Sequence, residues 1–254
     1  MPDLALLTTT GTTATLTLNR PDARNALSVE LLEALHARLD ELAAMPEGSR
    51  PSVLVLTGAG KSFCAGMDLK MVLDVPGAPA KLLHSLAELT LKLRALPMAT
   101  IAKVNGAAIG GGCGLSCVCD FAITHADSKM GYPEVDLGVC PAVVAPWLVR
   151  KVGAGRARTI LLMGGTMSGQ RAHELRMVDV LAPTPAELDA ETDALVARLS
   201  SAAPQALRAT KQLLNELDGS FDAEVVRRGA DLSAKVVMMP ETREMLRAKF
   251  AAKS

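Results

Sequence analysis

The chain has 254 residues, 49% hydrophobic and only 2% aromatic, enough to bury a sizeable core of Leu, Val, Ala and Met in one large domain or one domain with a helical appendage. Its 27 basic and 27 acidic residues cancel without a block of like charge, which argues against nucleic acid or an anionic membrane as the main partner. The start lacks a basic segment followed by an apolar core and no long apolar run occurs, so a soluble, cytoplasmic protein is expected.

Leu4 to Thr9 and Thr13 to Leu18, around Gly11, predict an opening hairpin. A polar loop, Asn19-Arg20-Pro21-Asp22-Ala23-Arg24-Asn25-Ala26-Leu27, follows. Ser28 then caps a predicted helix to about Ala44, with Leu31, Leu32, Leu35, Leu39 and Leu42 on one face. Ser52 to Thr57 and Thr100 to Val104 are apolar runs suited to a sheet covered on both faces. The helical pattern Lys81 to Leu96 between them predicts parallel pairing with right-handed crossovers. Phe121 to Thr124 is a further short strand.

Beyond residue 141 the pattern is mostly helical: Pro141 to Lys151, Gly155 to Met163, a short strand around Met177 to Leu181, then Thr184-Pro185-Ala186-Glu187 as a capping box for a helix to about Ser201. Pro204 to Leu217 and Phe221 to Met238 are amphipathic, and Pro240 starts a last helix. The division expected is a core over 1–200 and a helical region over 201–254.

Two glycine-containing loops carry the chemistry. Ser62 to Leu69 and Asn105 to Gly114 each lie between a predicted strand and a predicted helix. Such turns aim free N–H groups at one point, and a helix N-terminus favours negative charge, so an oxyanion intermediate is expected. The cysteines at 64, 113, 117, 119 and 140 are an odd number in apolar surroundings, which predicts reduced, buried thiols. The spacing of Cys113, Cys117 and Cys119 does not suit a zinc site, and no metal is expected.

The runs at 19–27, Phe63-Cys64-Ala65-Gly66-Met67-Asp68-Leu69, Gly110-Gly111-Gly112-Cys113-Gly114 and Pro133-Glu134-Val135-Asp136-Leu137-Gly138 resemble, in order and spacing, the enoyl-CoA hydratase/isomerase (crotonase) superfamily. The resemblance runs from about Asn19 to Phe250. It implies an α/β fold, a spiral of strand-strand-helix repeats with a C-terminal helical region that assembles homotrimers or hexamers. It implies an acyl-CoA thioester as substrate, so that coenzyme A is part of the substrate and no separate cofactor is needed. The N–H groups of Met67 and Gly111 then match the oxyanion donors. Ala23, Arg24 and Ala26, the segment Ala65, Gly66, Asp68 and Leu69, the neighbours Gly110 and Pro133, and the C-terminal Phe250 and Lys253 match substrate or CoA contacts. Arg24 suits a phosphate, and Asp68 is expected to cap the following helix rather than take part in chemistry.

By the same resemblance, hydratases hold water between two glutamates. The first position is Gly114 here, the second matches Glu134, and a further position used by some members is Ala142. Glu134 is the one expected acid/base, tuned by an apolar pocket. Single-glutamate hydration of a 2-enoyl thioester is favoured by likeness of Pro141-Ala142-Val143 to hydratases of branched glutaconyl-type thioesters. A Δ3,Δ2-enoyl-CoA isomerase is the alternative, and a catalytically weak acyl-CoA binder a third. Met71, Val72, Leu82, Leu83 and Leu86 are candidates for the acyl wall. His36, His84, His125 and His173 sit in no carboxylate or cysteine motif, and Ser116 has no base motif beside it.

Overall fold

A computed structural model describes residues 3–68, 75 and 77–251, with the side chains of 250 and 251 excepted. Strands β1 (Ala5–Thr10) and β2 (Thr13–Leu18) form the expected hairpin, and β2 pairs in parallel with β3 (Val53–Gly58). β3 then continues in parallel through β5 (Ala99–Val104) and β7 (Phe121–His125) to β10 (Val180–Ala182), giving a six-stranded sheet in the order β1-β2-β3-β5-β7-β10.

A second sheet lies outside what the sequence pattern predicts. Its strands are β4 (Ser62–Cys64), β6 (Ala107–Ile109), β8 (Lys129–Gly131) and β9 (Thr166–Ser168), in that order. Each is three residues long, too short for hydrophobic alternation to register. Because β3, β5 and β7 are each followed by a strand of this second sheet, the chain winds as a spiral of strand-strand-helix turns.

Helix α1 (Val29–Ala44) begins where Ser28 Oγ accepts a hydrogen bond from the Leu31 N–H at 3.2 Å, a cap worth about 1 kcal/mol. Its five predicted leucines are buried. Helix α2 (Ala78–Ala95) crosses between β4 and β5, and α3 (Gly111–Val118) follows β6. In β3 the side chains alternate between two cores. Leu54 and Leu56 join the main cluster under α1 to α3, while Val53 and Val55 pack with Ile101, Ile123, Leu188 and Leu199 on the opposite face. Burial on both faces explains the uninterrupted apolar run.

Four sequence expectations shift. The helix placed from Pro141 begins at Ala145 (α4, Ala145–Val152), because Pro141 to Val144 turn instead, with the Val144 and Ala145 N–H groups donating to Pro141 O. After α5 (Ala154–Met163), β9 and α6 (Gly169–Glu174), the strand placed at Met177 is confined to Val180–Ala182. The capping box at Thr184 does not cap: its hydroxyl donates to Glu187 Oε2 at 2.7 Å, and a single 3-10 turn, Pro185–Glu187, precedes α7 (Leu188–Ser200). Cys140 is half-buried, whereas the other four cysteines are buried and all five are free.

The C-terminal helices are α8 (Pro204–Leu217), α9 (Ala223–Val237) and α10 (Pro240–Ala251). Helix α9 packs along α2, where Arg227 forms a bidentate pair with Glu88 at 2.6 and 3.1 Å. No described helix is long and apolar enough to cross a membrane.

Candidate active site

Three loops converge at the ends of β2, β4 and β6. The 19–27 loop is fastened to the second by Asn25, fully buried with φ +55°. Its Oδ1 accepts from the Arg20 N–H at 2.8 Å, and its Nδ2 donates to Ala59 O at 3.0 Å and Ser62 O at 2.8 Å. A buried amide with every bond made fixes the loop's path. Beyond it the Ala65 N–H donates to Arg24 O at 3.0 Å, Leu27 N–H to Gly66 O at 2.7 Å and Asp68 N–H to Leu27 O at 2.9 Å.

That pattern leaves the Met67 N–H without an acceptor among the described residues. The Gly111 N–H, at the start of α3, likewise has no acceptor among the described residues. The two loops touch at Gly66, whose φ is +86° and whose added Cβ would lie 2.7 Å from Ile109 O and 3.9 Å from Gly111 N. Only glycine permits that backbone and that approach.

Glu134 completes the cluster from a tight turn, its carbonyl accepting from the Leu137 and Val139 N–H groups at 2.9 and 2.8 Å. Its carboxyl lies on the Gly110 backbone, so that a Cβ on Gly110 would come within 2.7 Å of Oε1. Glu134 Oε2 is buried without a hydrogen-bond partner among the described residues. Burial in apolar surroundings pushes the carboxyl up from its ordinary 4.5 to about 7, opposed only by its own backbone N–H.

Ala65, Gly66, Met67, Gly110, Gly111, Pro133 and Glu134 therefore all line one cavity. Leu82, Leu83 and Leu86 form its wall on α2, as expected. Glu134 and Cys140 are the only ionisable groups among its described lining residues. Ala23 and Ala26 lie half-buried in the neighbouring loop, and Arg24 is exposed with φ +51°, its backbone bonded to Pro21 O and the Ala65 N–H. Leu69, Met71, Val72 and Lys253, and the side chain of Phe250, lie outside the described residues.

The Asp68 carboxylate pairs with Arg20 Nη1 at 2.8 Å and ties the first loop to the second, while the segment it is expected to cap lies outside the described residues. His84 does have a carboxylate neighbour, Asp231 Oδ1 at 3.3 Å, but both are exposed and remote in role from the cavity. Ser116 is buried with its hydroxyl donating to Cys113 O at 2.7 Å. No group of three His, Cys, Asp or Glu side chains among the described residues is placed to hold a metal.

Sequence reasoning passed over Asn25, Leu27, Val144, Cys140 and Ser233. Ser233 comes from α9 in the C-terminal region, and is 1% exposed. Its Oγ donates to Cys140 O at 2.8 Å and accepts from the Ala142 N–H at 3.1 Å, pinning the 140–142 segment against the cavity. Nothing in a lone serine on an amphipathic helix signals that role; the buried face of α9 alone could have drawn attention to it.

The spiral of strand-strand-helix turns closed by C-terminal helices is a crotonase-type fold. The chain belongs to the enoyl-CoA hydratase/isomerase family, whose family model matches residues 8–247. It is 38% identical over 244 residues to a Thermus thermophilus protein provisionally described as an enoyl-CoA hydratase, covering 94% of this chain and 95% of that one. It is 35% identical over 202 residues to the 2,3-dehydroadipyl-CoA hydratase of Escherichia coli K12, covering 79% and 77%. The crystal structure of an enoyl-CoA hydratase from Mycobacterium avium superposes with a TM-score of 0.86 at 31% identity, over 99% of this chain and 98% of that one.

Proposed function

We propose that this enzyme hydrates a 2-enoyl-CoA thioester, with Glu134 as the sole acid/base and the Met67 and Gly111 N–H groups as the oxyanion donors. The observation that carries the reading is the enclosed Glu134 carboxyl, raised to about 7, in the same cavity as two N–H groups without acceptors. A base poised near neutrality can both take and return a proton. Glu134 removes a proton from water as the oxygen bonds to Cβ, the double-bond electrons move onto the thioester oxygen, and Glu134 returns the proton to Cα. The enolate oxygen gains charge where the two N–H groups point, which lowers the barrier without a charged side chain.

Coenzyme A enters as part of the substrate, and no separate cofactor takes part in this scheme. The exposed Arg24 guanidinium is our candidate for a CoA phosphate. The apolar wall of Leu82, Leu83, Leu86, Val143 and Val144 suits an acyl chain. Five free cysteines agree with a reducing, cytoplasmic setting. Exposed Leu213, Leu214, Leu217 and Phe221 near the C-terminus support a homotrimer or hexamer.

One observation favours Δ3,Δ2-enoyl-CoA isomerisation. Where a second carboxylate would rise from Gly114, the space is filled by Val144, so position 114 supplies no second acid to hold a water. Mass spectrometry in heavy-oxygen water, with 2-enoyl and 3-enoyl CoA thioesters and Glu134→Gln as control, separates the readings. Uptake of one labelled oxygen by the wild type supports hydration; conversion of 3-enoyl to 2-enoyl without uptake replaces it with isomerisation. Binding without turnover leaves an acyl-CoA binder.

A further inference from the structure

Part of the cavity wall rests on a glycine. Gly114 lies one helical turn beyond Gly111 on α3, about 4.5 Å further along the axis. A Cβ placed on Gly114 would overlap Val144 Cγ1 and lie 2.6 Å from Val144 Cβ. Val144 is 2% exposed and lines the cavity together with Val143 and Leu86. Its backbone is held from both sides, its N–H donating to Pro141 O and its carbonyl accepting from the Leu148 N–H, each at 3.2 Å. A β-branched side chain on a fixed backbone has few rotamers to retreat into. The volume that Gly114 gives up is the volume Val144 fills.

We propose that Val144, seated on Gly114, sets how much acyl bulk the site accepts at and beyond Cβ, so that the pair is a specificity determinant. This inference rests on the functional reading above. With the thioester oxygen at the Gly111 N–H, a step of one helical turn brings Val144 alongside Cβ and the carbons after it. Removing two methyl groups at Val144 opens that space. Adding one at Gly114 drives Val144 into the cavity and closes it. Because both changes act on the same volume, they have opposite signs, and they offset only in part when combined, since a Cβ on Gly114 still lies 2.6 Å from the Cβ at 144.

The test is kcat/KM for 2-butenoyl-, 3-methyl-2-butenoyl-, 2-hexenoyl- and 2-octenoyl-CoA with wild type, Val144→Ala, Gly114→Ala and the double variant, each checked by thermal melting. One methylene in an apolar pocket commonly changes discrimination by about tenfold or more. Val144→Ala should therefore raise the hexenoyl-to-butenoyl ratio about tenfold, Gly114→Ala should lower it, and the double variant should fall between the two single variants. A Val144→Ala enzyme that melts cooperatively, turns over and keeps the wild-type ratio overturns the inference while leaving the reaction intact. If the variants carrying Gly114→Ala do not fold, the single Val144→Ala decides. A wild type inert toward the whole panel overturns the functional reading, and this inference with it.

Discussion

The Arg20 guanidinium meets the Asp68 carboxylate at 2.8 Å, with Arg20 Nη1 also donating to Ala26 O at 3.1 Å. One arginine thus joins the first loop to the segment just after Met67. Asp68→Ala removes a half-buried pair, and we expect a stability loss of only about 1 kcal/mol but a several-fold rise in KM for acyl-CoA. Steady-state kinetics beside denaturant melts would test it; an unchanged KM would show that the tie does not position the loop.

Glu134→Gln keeps the shape of the side chain and loses its proton chemistry. Turnover should fall by roughly 10²–10⁴-fold, while acyl-CoA binding measured by calorimetry stays within a few-fold. Retained turnover would remove Glu134 from the mechanism.

The same residue should be visible in stability against pH. A carboxyl raised from 4.5 to about 7 on folding holds its proton more tightly in the native state. Its stabilising contribution is fully present below pH 4.5 and is lost as pH rises through 7, a change of about 3 kcal/mol at most. Glu134→Gln lacks this loss, so its stability relative to wild type should increase between pH 5 and pH 8. Parallel stability curves for the two proteins would contradict an enclosed, raised carboxyl. In activity the sign is opposite, because a general base must be deprotonated, and kcat/KM should climb through pH 7.

At Gly66, alanine would meet both a left-handed backbone, φ +86°, and the Ile109 carbonyl 2.7 Å from its Cβ. Strain of this kind costs about 1–3 kcal/mol, and the loop must shift to relieve it. Gly66→Ala should lose most activity even when circular dichroism shows a folded protein; a fully active variant would place the oxyanion donors elsewhere.

Far from the cavity, Asp120 accepts hydrogen bonds from Lys211 Nζ at 2.8 Å, Arg94 Nη1 at 3.2 Å, and the Thr100 N–H and hydroxyl at 2.8 and 2.9 Å. It holds α8, α2 and β5 together. Asp120→Ala leaves the half-buried Lys211 ammonium with only the Met98 carbonyl at 2.9 Å, and a loss of about 2–3 kcal/mol is expected, read from denaturant unfolding. A loss below about 1 kcal/mol would mean that the cluster is already screened by solvent.

The sequence by itself determined the long elements. The leucine face of α1, the Ser28 cap and the apolar runs of β3 and β5 are local patterns, because helix and strand periodicity and capping depend on neighbours within a few residues. Resemblance in the ordered motifs also singled out Met67, Gly111 and Glu134, which the fold brings to one cavity. Tertiary structure alone decided the rest. The three-residue strands of the second sheet exist only by pairing across the chain, and Thr184 turned to Glu187 instead of its backbone. Asp68 found Arg20 forty-eight residues away, and Ser233 reached the cavity from the C-terminal helices. Burial raised Glu134, and Val144 took the space above Gly114, because desolvation and excluded volume depend on which atoms meet in space, whatever their separation along the chain.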